Sequence, residues 1–260
     1  MKYRKAPDNY TDWLQDRSDN PSIGASASAS ILGLNPWHSE VDLWDDLVNG
    51  IKPQDDNLAM WLGREMEPII KKLFMDKTGL KVLNDNKIRI DEEHHFLTTN
   101  LDGMVVGEGV PVEYKTTGMP WNGDIPDHYF VQIQHQMMVT ESPSIYFVSL
   151  SLGQRKELIV EKYSRNDEFI ADMRSSLVNF WNNHVVTKVP PEPKTVEDAK
   201  KIFDVVEPES SAMAQPEDQL VWSSLTDLKR QKIELEKQIK AYQLDIMKRL
   251  GDRESLVDQH

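Results

Sequence analysis

The chain has no cysteine among its 260 residues. That excludes disulfides, a thiol nucleophile and any cysteine-held iron–sulfur cluster. It fits a reducing compartment, so a cytoplasmic location is expected. Long apolar runs are missing too, which argues against a membrane span, and no N-terminal apolar stretch reads as a signal peptide. Positive charge is scarce: 30 Lys and Arg stand against 43 Asp and Glu, a net charge of −13. A protein that simply coats phosphate backbones relies on Lys and Arg, so that class is disfavoured; a local basic channel around an acidic site remains compatible. With 39% hydrophobic and 28% charged residues, the chain can bury one substantial core.

The densest information lies in residues 100–117, NLDGMVVGEGVPVEYKTT. Two short apolar strands, 104–106 and 110–114, flank a Gly-Glu-Gly turn at 107–109, a hairpin signal. A turn centred on Gly107 and Glu108 sets Asp102 opposite Glu113. Alternation then puts Glu113 and Lys115 on one face and Tyr114 on the other. Two carboxylates and an ammonium are poor core material, because buried charges need partners. They suit a hard divalent cation and a water molecule. The bland alternative is a solvated strand face with an incidental ion pair.

Periodicity sets the rest. A short amphipathic turn is expected at 10–17, and a small-residue helix at 23–32, ended by Gly33. Ser39 and Asp42 form a capping box opening a helix over 41–48, with Gly50 closing it. A longer helix is expected over 57–77, with Leu58, Trp61, Ile69, Ile70, Leu73 and Phe74 on its apolar side. Pro68 implies a kink or a helix start near Glu67. Met60 and Trp61 suit core packing. Strands are expected at 81–83, 87–90 and 96–99 ahead of the hairpin. A helix at 125–140, strands at 144–150 and 157–163, and a helix at 167–184 follow. His94-His95 reads as a turn, since no second ligand pair stands at metal-site spacing.

Five motifs occur in order. They are Trp13…Arg17; Ile23-Gly-Ala-Ser26 with Gly33-Leu-Asn-Pro-Trp37; Gly63-x-x-x-Glu67; Asp102-Gly103 followed by Glu113-Tyr114-Lys115; and Tyr129-x-x-Gln132-x-Gln134. This series resembles the PD-(D/E)xK nuclease superfamily, and within it the λ exonuclease-like, YqaJ-type viral recombinase family, over roughly the first 190 residues. The resemblance implies an α/β fold, a central mixed sheet flanked by helices. It implies Glu67, Asp102, Glu113 and Lys115 as catalytic residues. Two Mg2+ ions, replaceable by Mn2+, would sit on Glu67, Asp102, Glu113 and the Tyr114 carbonyl. Arg17, Ser26, Asn100, Tyr129 and Gln132 would contact DNA and its 5′-phosphate. Asn100 stands where λ exonuclease has a serine. Residue by residue, plainer readings stand beside these. Arg17 suits a surface ion pair, Ser26 a helix contact, Glu67 a solvated helix face, and Gln132, Gln134 and Gln136 ordinary polar positions.

The expected activity is 5′-to-3′ exonucleolytic digestion of duplex DNA. It leaves 3′ overhangs for a single-strand-annealing partner, in a phage or prophage protein that forms a ring-shaped trimer. An endonuclease with the same site, or a DNA-end-binding protein without cleavage, are the alternatives. Residues 1–205 read as the nuclease domain and 206–218 as a linker, with a shorter Pro-rich link at 190–193. Residues 219–260 read as a helical, coiled-coil-like segment, with apolar residues at near-heptad spacing from Leu225 to Ile246 and Lys232 interrupting them. No stop signal precedes His260, so a longer natural chain is expected.

Overall fold

The computed structural model describes residues 2–7, 9–51, 57–118, 124–204, 211 and 213–253. They divide into two units, residues 1–204 and 205–260.

The first unit holds β1 (Lys2–Lys5), α1 (Tyr10–Asp19), β2 (Ile23–Gly24), a tight turn at Ala25–Ala27, α2 (Ser28–Ile31), α3 (Glu40–Asn49), α4 (Leu58–Thr78), β3 (Val82–Ile90), β4 (Leu97–Val105) and β5 (Pro111–Thr117). It continues through α5 (Asp127–Thr140), β6 (Ser144–Ser151), β7 (Leu158–Ser164), α6 (Asp167–Phe180), a π turn at Trp181–Val185 and α7 (Val196–Ile202). The strands form one sheet in the order β1-β3-β4-β5-β6-β7. Pairing is antiparallel except between β5 and β6, so the sheet is mixed. β2 adds a short parallel pairing to β4.

Alternation along β5 and β6 divides the core into two faces. On one face Val112, Tyr114 and Val148 pack against Ile70 and Phe74 of α4. On the other, Ile145 and Phe147 meet Ile133 and Met137 of α5. A third cluster joins Val131 and Met138 of α5 to Ile23, Leu97 and the α6 residues Met173 and Leu177. α5 is buried at almost every position from Val131 to Thr140, as a helix sandwiched between layers must be.

Several expectations need correction. Residues 23–32 are not one helix. Ile23 donates its N–H to the Phe96 carbonyl at 2.7 Å, and Ile23 and Gly24 pair with β4, so the helical part begins only at Ala25, as a tight turn followed by α2. The strands expected at 81–83 and 87–90 are one strand, β3, interrupted by register irregularities. Those at 96–99 and 104–106 are one strand, β4, and Val106 lies outside it. α4 runs unbroken through Pro68. Its start is fixed upstream, where the Asn57 side chain accepts from the Met60 N–H, and burial of Ile70 and Phe74 holds the part beyond the proline. Only those two α4 residues are buried; Leu58, Met60, Trp61 and Ile69 are exposed. β1 and α7 went unforeseen. The capping box at Ser39 and Asp42 stands as expected, and the Ser39 hydroxyl also donates to Asp198 of α7 at 2.5 Å.

The second unit contains α8 (Pro216–Leu250). It opens on Pro216, so the last residues of the expected linker are helical; residues 205–210, 212 and 254–260 lie outside the described part.

Candidate active site

β4 carries the key irregularity. One edge pairs with β3. The other edge pairs with β2 at Leu97 and Thr98, then with β5 at Gly103 and Met104. Residues 99–102 lie between these ladders. Buried backbone groups need partners, and side chains supply several here. His135 Nε2 lies 3.0 Å from the Thr98 carbonyl and Gln136 Nε2 donates to the Asn100 carbonyl at 3.3 Å. On the β5 side, the Asp102 carboxylate accepts the Tyr114 N–H at 2.7 Å. The register Gly103 with Val112 is the one the turn implied. The ladder ends there, so Asp102 sits in the wedge where the strands part rather than squarely across from Glu113.

Gly103 is required by the same geometry. A Cβ at this position would lie 2.4 Å from Val82 Cγ1 and 3.1 Å from the Leu83 carbonyl of β3. The Asp-Gly pair thus combines a carboxylate in the wedge with a close strand crossing behind it.

Glu113 is nearly inaccessible, its side chain 3% exposed. Lys115 Nζ donates to its Oε1 at 2.5 Å, as does Gln132 Nε2 at 2.6 Å, while Gln136 Nε2 donates to Oε2 at 2.6 Å. Gln132 and Gln136 are one α-helical turn apart, so both amides point at one carboxylate. Lys115 Nζ also lies 5.5 Å from the Tyr129 ring centroid. Burial opposes the Lys115 charge, but Glu113 and Asp102 outweigh it and raise its pKa, keeping the ammonium protonated. Burial, followed by the Glu113 charge, pushes Asp102 well above the usual carboxylate range. Glu67 of α4 is raised by the same two causes, against the pull of Lys115 and Arg64.

Glu67, Asn100, Asp102 and Tyr114 line a cleft of about 600 Å³ together with Arg64, Lys71 and Asn84. Three carboxylates, those of Glu67, Asp102 and Glu113, meet here with three cations, Lys115, Arg64 and Lys71. The carboxylates suit a hard cation. Among the described residues no three His, Asp or Glu side chains stand together as a group that could hold a metal ion.

Arg17 is not among the residues that line this cleft. Its guanidinium lies over the Trp13 ring at 5.1 Å, and Nη1 would sit 3.5 Å from a Cβ on Gly24. Burial lowers its pKa, Asp46 counters that and Arg4 adds to it. Its Nε is buried with no hydrogen-bond partner among the described residues. Ser26 is exposed on the turn after β2. It is Ser28 whose hydroxyl meets a buried histidine, 2.6 Å from His135 Nδ1. The structure therefore gathers Glu67, Asn100, Asp102, Glu113, Tyr114, Lys115, Tyr129 and Gln132, and engages Gln132 with Glu113. Gln136 and His135 were missed as site supports. The four-residue step from Gln132 to Gln136 was the available signal.

Residues 12–143, half of the chain, match the YqaJ-like viral recombinase domain, and the chain belongs to that family. The uncharacterized protein YqaJ of Bacillus subtilis (strain 168) is 32% identical over 183 residues, covering 67% of this chain and 56% of YqaJ. This chain thus spans little more than half of that relative's length. The alkaline exonuclease LHK-Exo of Laribacter hongkongensis shares the fold: TM-score 0.55 at 21% identity, over 69% of this chain and 94% of LHK-Exo. Its complex with dAMP matches with the same TM-score at 20% identity, over 75% and 98% of the respective chains. Among the described residues no helix is long and apolar enough to cross a membrane.

Proposed function

We propose that the chain is a Mg2+-dependent deoxyribonuclease that digests duplex DNA 5′ to 3′, leaving 3′ single-stranded ends for an annealing partner. One observation carries the reading: Asp102 and Glu67 line an open cleft, and behind Asp102 the buried Glu113 holds the Lys115 ammonium, in a chain of the viral recombinase family. Carboxylates whose pKa values are raised by burial and by one another, at a cleft, mark a candidate functional site.

Asp102, Glu113, Glu67 and the Tyr114 carbonyl would hold one or two Mg2+ ions, with Mn2+ an acceptable substitute. Bound metal supplies an acidified water and neutralises charge on the phosphate. In the hydrolysis, water oxygen bonds to phosphorus as the bond to the 3′ oxygen breaks, and that oxygen takes up a proton. Lys115 stays protonated, so it serves as a donor to the water or to a phosphate oxygen and not as a base. Gln132 and Gln136 fix Glu113. The partnerless Nε of Arg17 supports an anion-binding role there, suited to a 5′-phosphate. By resemblance the active assembly is a ring-shaped trimer working on DNA ends inside a bacterial host.

End-labelled linear duplex and covalently closed circles, with and without Mg2+, test this. Linear 5′-phosphorylated duplex should be degraded only with metal, and circles should survive. Asp102→Ala should abolish cleavage yet keep DNA binding. Arg17→Ala should shrink the preference for 5′-phosphate over 5′-hydroxyl by about 10- to 100-fold, the worth of a charged hydrogen bond. Efficient nicking of closed circles would support an endonuclease instead, and cleavage by folded Asp102→Ala would remove the assigned site.

A further inference from the structure

We propose that α8 pairs with α8 of a second copy of the chain as an antiparallel two-helix coil. The helix runs for 35 residues without a buried one. Leu225, Leu228, Leu235, Ile239, Tyr242 and Ile246 lie on a ladder of alternating three- and four-residue steps, which skips one apolar position between Leu228 and Leu235, and each is at least 43% exposed. That is the seam of a two-stranded coil, lacking its second strand. The same stepping also places three charged residues on the seam: Lys232 in the middle, Asp218 and Arg249 at the ends.

Those three residues select the partner's direction. In a parallel, in-register pair every seam residue meets its own copy. Lys232 would face Lys232, Asp218 would face Asp218, and Arg249 would face Arg249. Every charged layer would then be repulsive. In the antiparallel register that seats Lys232 against Leu235, the apolar residues still meet each other: Val221 with Ile246, Leu225 with Tyr242, Leu228 with Ile239. The same register brings Asp218 onto Arg249 at both ends. Lys232 lays its stem along the apolar Leu235, with its ammonium beside Glu236 of its own helix, 3.7 Å away. Beside the seam, Lys229 faces Glu236 of the other copy on one flank and Gln231 faces Gln238 on the other. The parallel arrangement would offer Lys229 only Ser224. Charge complementarity therefore favours a second α8 running the opposite way.

Because the chain lacks cysteine, introduced thiols report the pairing without background. Leu228→Cys and Ile239→Cys would be made separately in the full chain, then co-expressed and oxidised. The expected result is a disulfide-linked dimer from the co-expressed pair and none from either variant alone. In the proposed register two copies of residue 228 lie about 16 Å apart along the coil, beyond the ~7 Å Cα reach of a disulfide. Adding Lys229→Glu to both variants should cut the cross-linked yield about tenfold, and adding Glu236→Lys as well should restore it. Cross-linking of Leu228→Cys alone would overturn the antiparallel pairing. No cross-link in any combination would mean that something other than α8 covers the seam. A yield insensitive to the charge changes would overturn the register.

Discussion

The Glu113–Lys115 pair offers a quantitative test of the buried charge cluster, independent of any reaction. Lys115→Met removes the cation and leaves a carboxylate that is 3% exposed. Breaking one half of a buried pair costs about 3–5 kcal/mol. Here Gln132 and Gln136 keep donating to the carboxylate, and Lys115 is itself 24% exposed, so the low end applies, about 3 kcal/mol. Glu113→Gln removes the charge but turns an amide toward three donors, at about 2 kcal/mol. The double variant should lose no more than about 3 kcal/mol, giving a coupling near 2 kcal/mol. Urea unfolding in EDTA reads this directly. With a slope near 2 kcal/mol/M, the Lys115→Met midpoint should fall by about 1.5 M. Strictly additive losses, or a Lys115→Met midpoint shift under about 0.3 M, would refute the claim that the pair is buried and coupled.

Three further outcomes are expected. Burial holds His135 at a pKa of about 4, below its ordinary 6.5. Between those values the unfolded chain binds the extra proton, so stability should fall by roughly 3 kcal/mol as pH drops from 6.5 to 4. His135→Gln should flatten that part of the pH–stability curve, and an unchanged slope would place the acid sensitivity elsewhere. Gly103→Ala should destabilise by about 1–3 kcal/mol through the clash with Val82, less in a Val82→Ala background, which urea midpoints of the four variants would show; an equal cost in both backgrounds would count against the close strand crossing. A chain ended after Asp204 should stay folded and cleave short duplexes. Loss of its circular dichroism signal would put α8 within the nuclease core.

The closeness of Asp102, Glu113 and Lys115 was more legible than the architecture around them. Asp102, Glu113 and Lys115 could be read because a hairpin fixes its own register from its turn, and Gly107–Gly109 marks that turn. The merger of residues 96–99 and 104–106 into β4 could not, because Asn100 and Asp102 look like loop residues until β3 is known to hold their other edge. β1 escaped notice for a similar reason: Lys-Tyr-Arg-Lys has no apolar alternation, and only pairing with β3 makes it a strand. The serine–alanine run after Gly24 is helical as its composition suggests, and only the pairing of Ile23 and Gly24 with the distant β4 takes the start of the segment out of the helix. On α5, burial of Gln134, His135 and Gln136 reverses the usual reading of polar residues. Each serves a partner more than 20 residues away in sequence.

β1 gives the segment that opens the fold a second role. It covers the outer edge of β3 from Lys87 to Ile90, and the residues after it, Ala6 and Pro7, form part of the cleft wall shared with Asp102. Removing residues 2–7 would uncap a row of β3 amides and carbonyls able to recruit strands from other molecules. It would also take away one side of the groove. Aggregation and weakened catalysis would then arise together from one deletion that touches no charged site residue, and a fusion partner attached at this end would stand beside the mouth of the cleft.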